Sequence, residues 1–231
     1  MKHLIIIQAR MGSSRLPGKS LSLLKGKPSL LHLSESLLQA FQKESILVAT
    51  TEKSKDDPIC LLCENAGLQY YRGDEEHVAL RFYAALNIYK PVFFVRLNGD
   101  SPLFDYRILR GAIDNNSNSD IITTVSDKPY PSGMNFEIIR TSVFLNAYPR
   151  FSTQPQREHV TKFFYEHPGN LKFTRLVSPV ENSSRYKFTI DTREDLLRIT
   201  KIFEAMDKPH YCYSLQEKCE LYKKLFPDKN A

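Results

Sequence analysis

Long apolar runs are missing from this 231-residue chain. The longest near the start covers residues 4–7, far short of the roughly 20 that a membrane-spanning helix needs, and the apolar stretch and small-residue cleavage site of a signal peptide are missing with it. A cytoplasmic protein with no membrane partner is the expectation. Cysteine is scarce: four residues, too few for a disulfide framework in a chain this long. Cys60 and Cys63 stand in D-D-P-I-C-L-L-C-E-N-A-G, inside a predicted helix with Asp57 as N-cap and Pro58 in its first turn. A redox C-x-x-C pair opens a helix after a strand instead, and Cys212 and Cys219 have the wrong spacing for a second pair of zinc ligands. All four read as reduced thiols. Internal repeats, low-complexity tracts and linkers are lacking too, so residues 1–231 are expected to form one domain, with an inserted or appended lobe at 128–170.

What is present is a basic balance: 32 Lys plus Arg against 26 Asp plus Glu, a formal net charge of +6. That excess suits an anionic partner without saying which. A nucleic acid fits poorly, because the cations gather in one glycine-rich turn and otherwise scatter along amphipathic helices, with no RNA-stacking aromatics and no helix-turn-helix.

The periodicities alternate. Strands are predicted at 3–8, 45–50, 68–71 and 92–97, and helices at 28–41, 57–66, 75–89 and 105–116. Such alternation specifies a parallel sheet covered on both faces, with ligands outside the carboxyl ends of its strands. Beyond residue 116 the regularity breaks. Residues 121–125, 135–139, 173–177 and 186–190 read as extended, and 142–148, 156–167, 192–206 and 214–226 as helical.

Three segments carry chemistry. Directly after the first strand, Q-A-R-M-G-S-S-R-L-P-G-K (8–19) places two glycines, two serines and the cations Arg10, Arg15 and Lys19 at a strand end. Amides around Gly12, Ser13 and Ser14 can face phosphate oxygens while the cations neutralise them, yet the spacing matches neither a P-loop nor G-x-G-x-x-G. In V-R-L-N-G-D-S-P-L, Asp100 ends a buried strand, where a carboxylate can hold a divalent ion or merely cap the next helix. In K-F-T-I-D-T-R-E-D-L, Asp191 follows a strand in the same way.

In that order, I-I-I-Q-A-R-M-G-S-S-R-L-P-G-K, V-A-T-T, R-G-D-E-E-H-V-A-L-R-F-Y, N-G-D-S-P-L, Y-P-S-G-M-N-F-E, Q-R-E-H-V-T and T-I-D-T-R-E-D-L resemble the spore coat polysaccharide biosynthesis protein F family, within the group of CMP-KDO and CMP-acylneuraminate synthetases. The resemblance covers essentially the whole chain. It implies a three-layer α/β/α sandwich with a mixed, mostly parallel sheet, related to GT-A glycosyltransferases, and a cytidylyltransferase that transfers CMP from CTP to an acidic sugar and releases pyrophosphate.

It further implies that Arg10, Arg15 and Lys19, helped by the amides of Gly12, Ser13 and Ser14, bind the triphosphate, with Arg81 near the nucleotide. Asp100 and Asp191 are then the ligands of Mg²⁺, and Arg15, Lys19 and Asp100 the catalytic set. Tyr130, Gly133, Glu137, Arg157, Glu158 and His159 are implied for the acceptor sugar, which makes 128–170 an acceptor-site lobe and the face of a homodimer if one forms. His159 is the imidazole to test as a base.

The chain departs from the family pattern at Ser132 and Asn135, where acidic residues are common, and at His77. Those departures leave the acceptor open and keep a non-catalytic member in view. A glycosyltransferase of the same architecture is the rival enzyme; it usually carries D-x-D, and here the stretch reads Asp100-Ser101-Pro102.

Overall fold

The computed structural model describes residues 2–115 and 118–227. Strand β1 (His3–Gln8) is followed by a short hairpin, β2 (Leu23–Leu24) and β3 (Lys27–Pro28), then helix α1 (Ser29–Leu38), β4 (Ile46–Thr51), α2 (Asp57–Ala66), β5 (Gln69–Gly73), α3 (Val78–Tyr89) and β6 (Phe93–Asn98). The second half runs α4 (Tyr106–Asp114), β7 (Ile121–Thr123), β8 (Glu137–Arg140), α5 (Thr141–Ala147), α6 (Gln154–Glu158), α7 (Lys162–Glu166), β9 (Phe173–Arg175), α8 (Arg193–Ala205) and α9 (Leu215–Leu225).

Seven strands form the main sheet in the order β5-β4-β1-β6-β8-β7-β9. The first four are mutually parallel; β8 runs antiparallel to both neighbours, and β9 is parallel to β7. The mixed, mostly parallel sandwich implied by the resemblance is therefore the fold observed. Strand period decides which helix covers which face. Ile5, Ile7, Ile46, Val48, Val95 and Leu97 pack under α1, α2, α4, α8 and α9. Leu4, Ile6, Leu47, Ala49 and Phe94 pack under α3, α5 and the Phe151–Phe164 cluster. Both sets are buried, so these strands are apolar on both sides except at Arg96 of β6.

Chain order reverses at β1: β4 and β5 lie on one side, β6 on the other. The carboxyl ends of β1 and β6 flank that switch point, where a parallel sheet opens a crevice. The loop 9–22 and Asp100 both leave from there.

Several expectations need correction. Residues 23–28 form a hairpin where no strand is expected, so that Pro28, expected to open the helix, pairs with Leu23 and the helix starts at Ser29; the turn is Lys25-Gly26, both left-handed, at φ 46° and 76°. Asp56, not Asp57, occupies the N-cap position of α2, while Asp57 pairs with Arg72. Helix α3 starts at Val78 rather than 75, because the Asp74 carboxylate accepts the amides of Glu76 and His77 and holds an Asx turn there. The stretch 156–167 is two helices. Thr153 and Gln156 close a capping box on α6, and the chain breaks at His159, with ψ 47°, so that the Thr161 hydroxyl can donate to Glu137. Residues 186–190 are extended but form no sheet strand: they hydrogen-bond to Ser132 and to Asp100 instead. Helix α4 ends at Asp114, and the expected end at Asn116 lies outside the described residues. The four cysteines are free thiols, three of them buried.

Candidate active site

The loop after β1 is closed by its own backbone. The Met11 carbonyl accepts the amides of both Ser13 and Gly18, 2.9 Å each, and the Met11 amide donates to Asp56 Oδ1 at 2.6 Å. Asp56 is fully buried and also accepts the Thr51 hydroxyl, so the end of β4 braces the loop. The Ser13 amide is thus engaged within the loop, contrary to the expectation that it faces a phosphate. Gly12 lies against the Lys55–Glu75 ion pair, close enough that a Cβ there would stand 3.0 Å from Lys55 Nζ.

The rest of the loop turns to the other side of the crevice. A short helical turn at Lys19–Leu21 directs the Lys19 ammonium between two carboxylates, 2.5 Å from Asp100 Oδ2 and 2.9 Å from Asp191 Oδ1. Arg15, with an exposed side chain, reaches Asp191 Oδ1 at 3.4 Å. The three cations expected to act together are therefore divided: Arg15 and Lys19 face the two aspartates, whereas Arg10 lies within electrostatic reach of Glu75 and Arg81.

Asp191 is positioned from behind. The Ile190 amide donates to the Asp100 carbonyl at 2.9 Å, and Asp191 Oδ2 lies 3.3 Å from Lys187 Nζ and 3.4 Å from the Thr189 hydroxyl. Thr189 is linked in turn to Ser132, 2.9 Å between hydroxyl oxygens. Asp195, buried in the first turn of α8, accepts from Lys187, from Arg198 and from the amides of Asp191 and Thr192. Burial opposes ionisation of Asp191, but the Lys19 and Lys187 ammonium groups outweigh it and hold its carboxyl below the usual range. Burial likewise opposes charge on Lys19, and Asp100, then Asp191, overcome it and raise its pKa.

Two carboxylates converging from separate segments make a hard, all-oxygen donor set. Mg²⁺ is commonly held by one or two carboxylates plus substrate phosphates, so Asp100 and Asp191 fit that ion. The Ser101 hydroxyl donates to Asp100 Oδ1 at 3.3 Å, and the position two residues after Asp100 is Pro102, which offers no side-chain ligand.

Arg81 on α3 is 2 % exposed, and its Nε and Nη1 have no hydrogen-bond partner. Burial, then the charge of Arg10, lowers its pKa to about 10. Buried donors left open in this way are what a bound anion satisfies.

The residues expected around the acceptor separate. Glu137 faces the α3 side in register with Arg96, which reaches it at 3.2 Å, and accepts the Thr161 hydroxyl at 3.0 Å. Arg157 and Glu158 are half-buried on α6, and His159 is exposed at the break that follows. Gly133, at φ 96°, backs the 187–191 segment. Tyr130 stands apart from them: it packs on the opposite face and lines a cavity with Arg107, Ile108 and Leu176 beside α4. Sequence reasoning passed over Asp56, Arg96, Lys187 and Asp195. A charge inside an otherwise apolar strand, V-R-L-N, was the available signal for Arg96; Lys187 and Asp195 become visible only once Asp191 is seen in place.

A family profile described as cytidylyltransferase matches residues 4–225. The spore coat polysaccharide biosynthesis protein SpsF of Bacillus subtilis is 31 % identical over 89 % of this chain and 88 % of its own. The structure of a cytidylyltransferase from Leptospira borgpetersenii superposes with a TM-score of 0.90 at 29 % identity, covering 97 % of this chain and 95 % of that one. A CMP:2-keto-3-deoxy-manno-octonic acid synthetase complexed with CTP shares the fold at TM-score 0.63 and 21 % identity, covering 88 % of this chain and 99 % of the other. Among the described residues no helix is long and apolar enough to cross a membrane.

Proposed function

The chain belongs to the cytidylyltransferase family, and on that premise we propose that this nucleotidyltransferase moves CMP from CTP to the hydroxyl of an acidic sugar and releases pyrophosphate. One observation carries the reading: Asp100 and Asp191, from segments far apart in sequence, meet on Lys19 at the switch point of the sheet, with Arg15 beside them. That is a place built to manage several negative charges at once.

In this reading the sugar hydroxyl attacks the α-phosphorus, the bond to the β-phosphate breaks, and the electron pair leaves with pyrophosphate. Two anions must be brought together, so charge neutralisation and alignment are the main tasks. Arg15 and Lys19 offset charge on the departing pyrophosphate. Arg10 and the open guanidinium of Arg81 hold the nucleotide from the other end of the loop, with the amides of Gly12 and Ser14 beside them. Asp100 and Asp191 are assigned to Mg²⁺, which when bound neutralises and orients phosphate oxygens.

The acceptor is assigned to the side of the sheet lined by Glu137, Arg157 and Glu158, with Gly133 setting the path of the segment behind it and His159 as the imidazole to test as base. Arg96 and Thr161 already satisfy much of Glu137, which suits a positioning contact to sugar hydroxyls better than proton transfer. Pro102, where the second acid of D-x-D would stand, favours nucleotidyl transfer over a glycosyltransferase reading.

Calorimetry with each nucleoside triphosphate at millimolar Mg²⁺, followed by pyrophosphate release across a panel of nonulosonic acids, KDO and sugar phosphates, tests the proposal. CTP binding and CTP-dependent release with one sugar acid are expected. Failure to bind any triphosphate overturns it.

A further inference from the structure

A second constellation stands apart from Asp100 and Asp191. Helix α1 carries His32 and Glu35 one turn apart, and the turn at His210–Cys212 lays His210 against them, its ring 5.0 Å from that of His32 and edge-on to it. His32 and His210 are 6 % and 5 % exposed. His32 Nε2 lies 2.9 Å from the Leu24 carbonyl, and His210 Nε2 lies 2.8 Å from the His32 carbonyl. A carbonyl oxygen can only accept, so each ring carries its proton on Nε2 and presents the lone pair of Nδ1. Backbone carbonyls hold metal-ligating histidines in this way, fixing tautomer and ring plane.

The lone pair of His32 has nowhere else to go. Its Nδ1 is buried without a hydrogen-bond partner and lies 3.9 Å from Glu35 Oε2. Lys27 pairs with Glu35 through the other oxygen, Oε1. The remaining cations of the surrounding cavity are occupied elsewhere: Lys25 donates to the Met206 carbonyl and Lys208 pairs with Glu217. One ligand atom from each of His32, Glu35 and His210 lies within 4.8 Å of the other two. Four-coordinate zinc sets its ligand atoms roughly 3.3 Å apart, so a modest closing of side chains completes the shell. His32, Glu35 and His210 line one cavity of about 420 Å³, bordered also by Met206, Asp207 and Tyr211, so there is room beside them for an ion.

We propose that His32, Glu35 and His210 bind one divalent transition ion of the Zn²⁺ class, which clamps the 206–212 turn onto α1. Two imidazoles and a carboxylate suit Zn²⁺, Co²⁺ or Ni²⁺ and discriminate against Mg²⁺, so the site is chemically distinct from the pair of aspartates in the cleft.

Titration of chelator-treated full-length protein with Co²⁺, read by visible absorption, tests this. Uptake of one equivalent with d–d bands, unaffected by millimolar Mg²⁺, is expected, together with a rise of several degrees in the thermal midpoint on adding Zn²⁺. Glu35→Gln, a change at a partly exposed residue that keeps size and shape, is expected to weaken uptake at least tenfold, and Asp100→Asn to leave it intact. No uptake by the wild-type chain, uptake unchanged in Glu35→Gln, or uptake lost in Asp100→Asn overturns the assignment. A thiolate charge-transfer band overturns it as well, since that places the ion on Cys212.

Discussion

Lys19 Nζ stands 2.5 Å from Asp100 Oδ2 and fills the space between that carboxylate and Asp191. The ammonium holds apart two negative groups that would otherwise face each other, and it stands between the two carboxylates proposed to hold the divalent ion. At an effective dielectric near 20, a unit charge about 4 Å away is worth roughly 4 kcal/mol. Lys19→Met is therefore expected to strengthen Mn²⁺ binding to the nucleotide-free protein by at least tenfold, measured by electron paramagnetic resonance, while lowering turnover. Unchanged Mn²⁺ affinity would show that Asp100 and Asp191 do not form the ion site.

Arg15 has a side chain 63 % exposed and reaches Asp191 only at its tip. Its removal costs little stability, within about 0.5 kcal/mol for a surface change, yet Arg15→Ala should lower pyrophosphate release by roughly 10²-fold or more. Asp100→Ala is expected to abolish release while the circular dichroism spectrum stays native. Wild-type turnover in both variants removes the site assignment.

Asp56 binds two donors from a position without solvent access, the Met11 amide and the Thr51 hydroxyl. Asp56→Ala strands both, at about 1–3 kcal/mol for each unsatisfied group. Urea denaturation should register that loss, and the loosened loop should raise KM for CTP more than it lowers kcat. A variant with reduced stability and an unaltered KM would make the brace purely structural.

Gly133 adopts φ 96°, and a Cβ there would stand 2.7 Å from the Phe188 carbonyl carbon. Neither backbone can yield easily, because Phe188 N donates to Ser132 O at 2.7 Å. Gly133→Ala is expected to destabilise the fold by on the order of 2 kcal/mol or more and to displace Asp191, seen as lost divalent-ion affinity in the folded fraction.

Lys218 is fully buried and its Nζ has no hydrogen-bond partner. Burial lowers its pKa to about 8 from an unfolded value near 10.5, with the Asp105 carboxylate only partly offsetting that. Between those values the unfolded chain binds more protons, so this residue's contribution makes stability rise with pH from about 8 to 10.5. Lys218→Met should remove that rise and stabilise the protein at pH 7 by on the order of 2 kcal/mol. The difference between wild-type and variant denaturation curves, taken across that range, checks it; parallel curves refute it.

The parallel half of the sheet was readable because β1 and β4 are apolar on both faces and β6 is so but for Arg96, and turns containing Gly and Pro follow β1 and β6. Asp100 and Asp191 could be picked out as strand-end carboxylates, and their motifs carried the family. Their meeting on Lys19 was not readable: it depends on the 186–190 segment lying against Asp100 and Ser132 instead of joining the sheet, and no periodicity reports that choice. The break after Glu158 was hidden for a similar reason, since the partner that rewards it, Glu137, is distant in sequence. Lys25-Gly26 was a legible turn signal that the surrounding glycine-rich loop obscured. Tyr130 was misplaced by proximity along the chain, as its ring follows α4 to the opposite face while Glu137, a few residues on, turns toward α3.

The hydrogen bond from the Ile190 amide to the Asp100 carbonyl makes the two aspartates neighbours through the main chain, independently of anything their side chains hold. The backbone thus sets the two side chains out from adjoining points, like the arms of a pair of tongs on a common hinge, and leaves their torsions to close on what lies between.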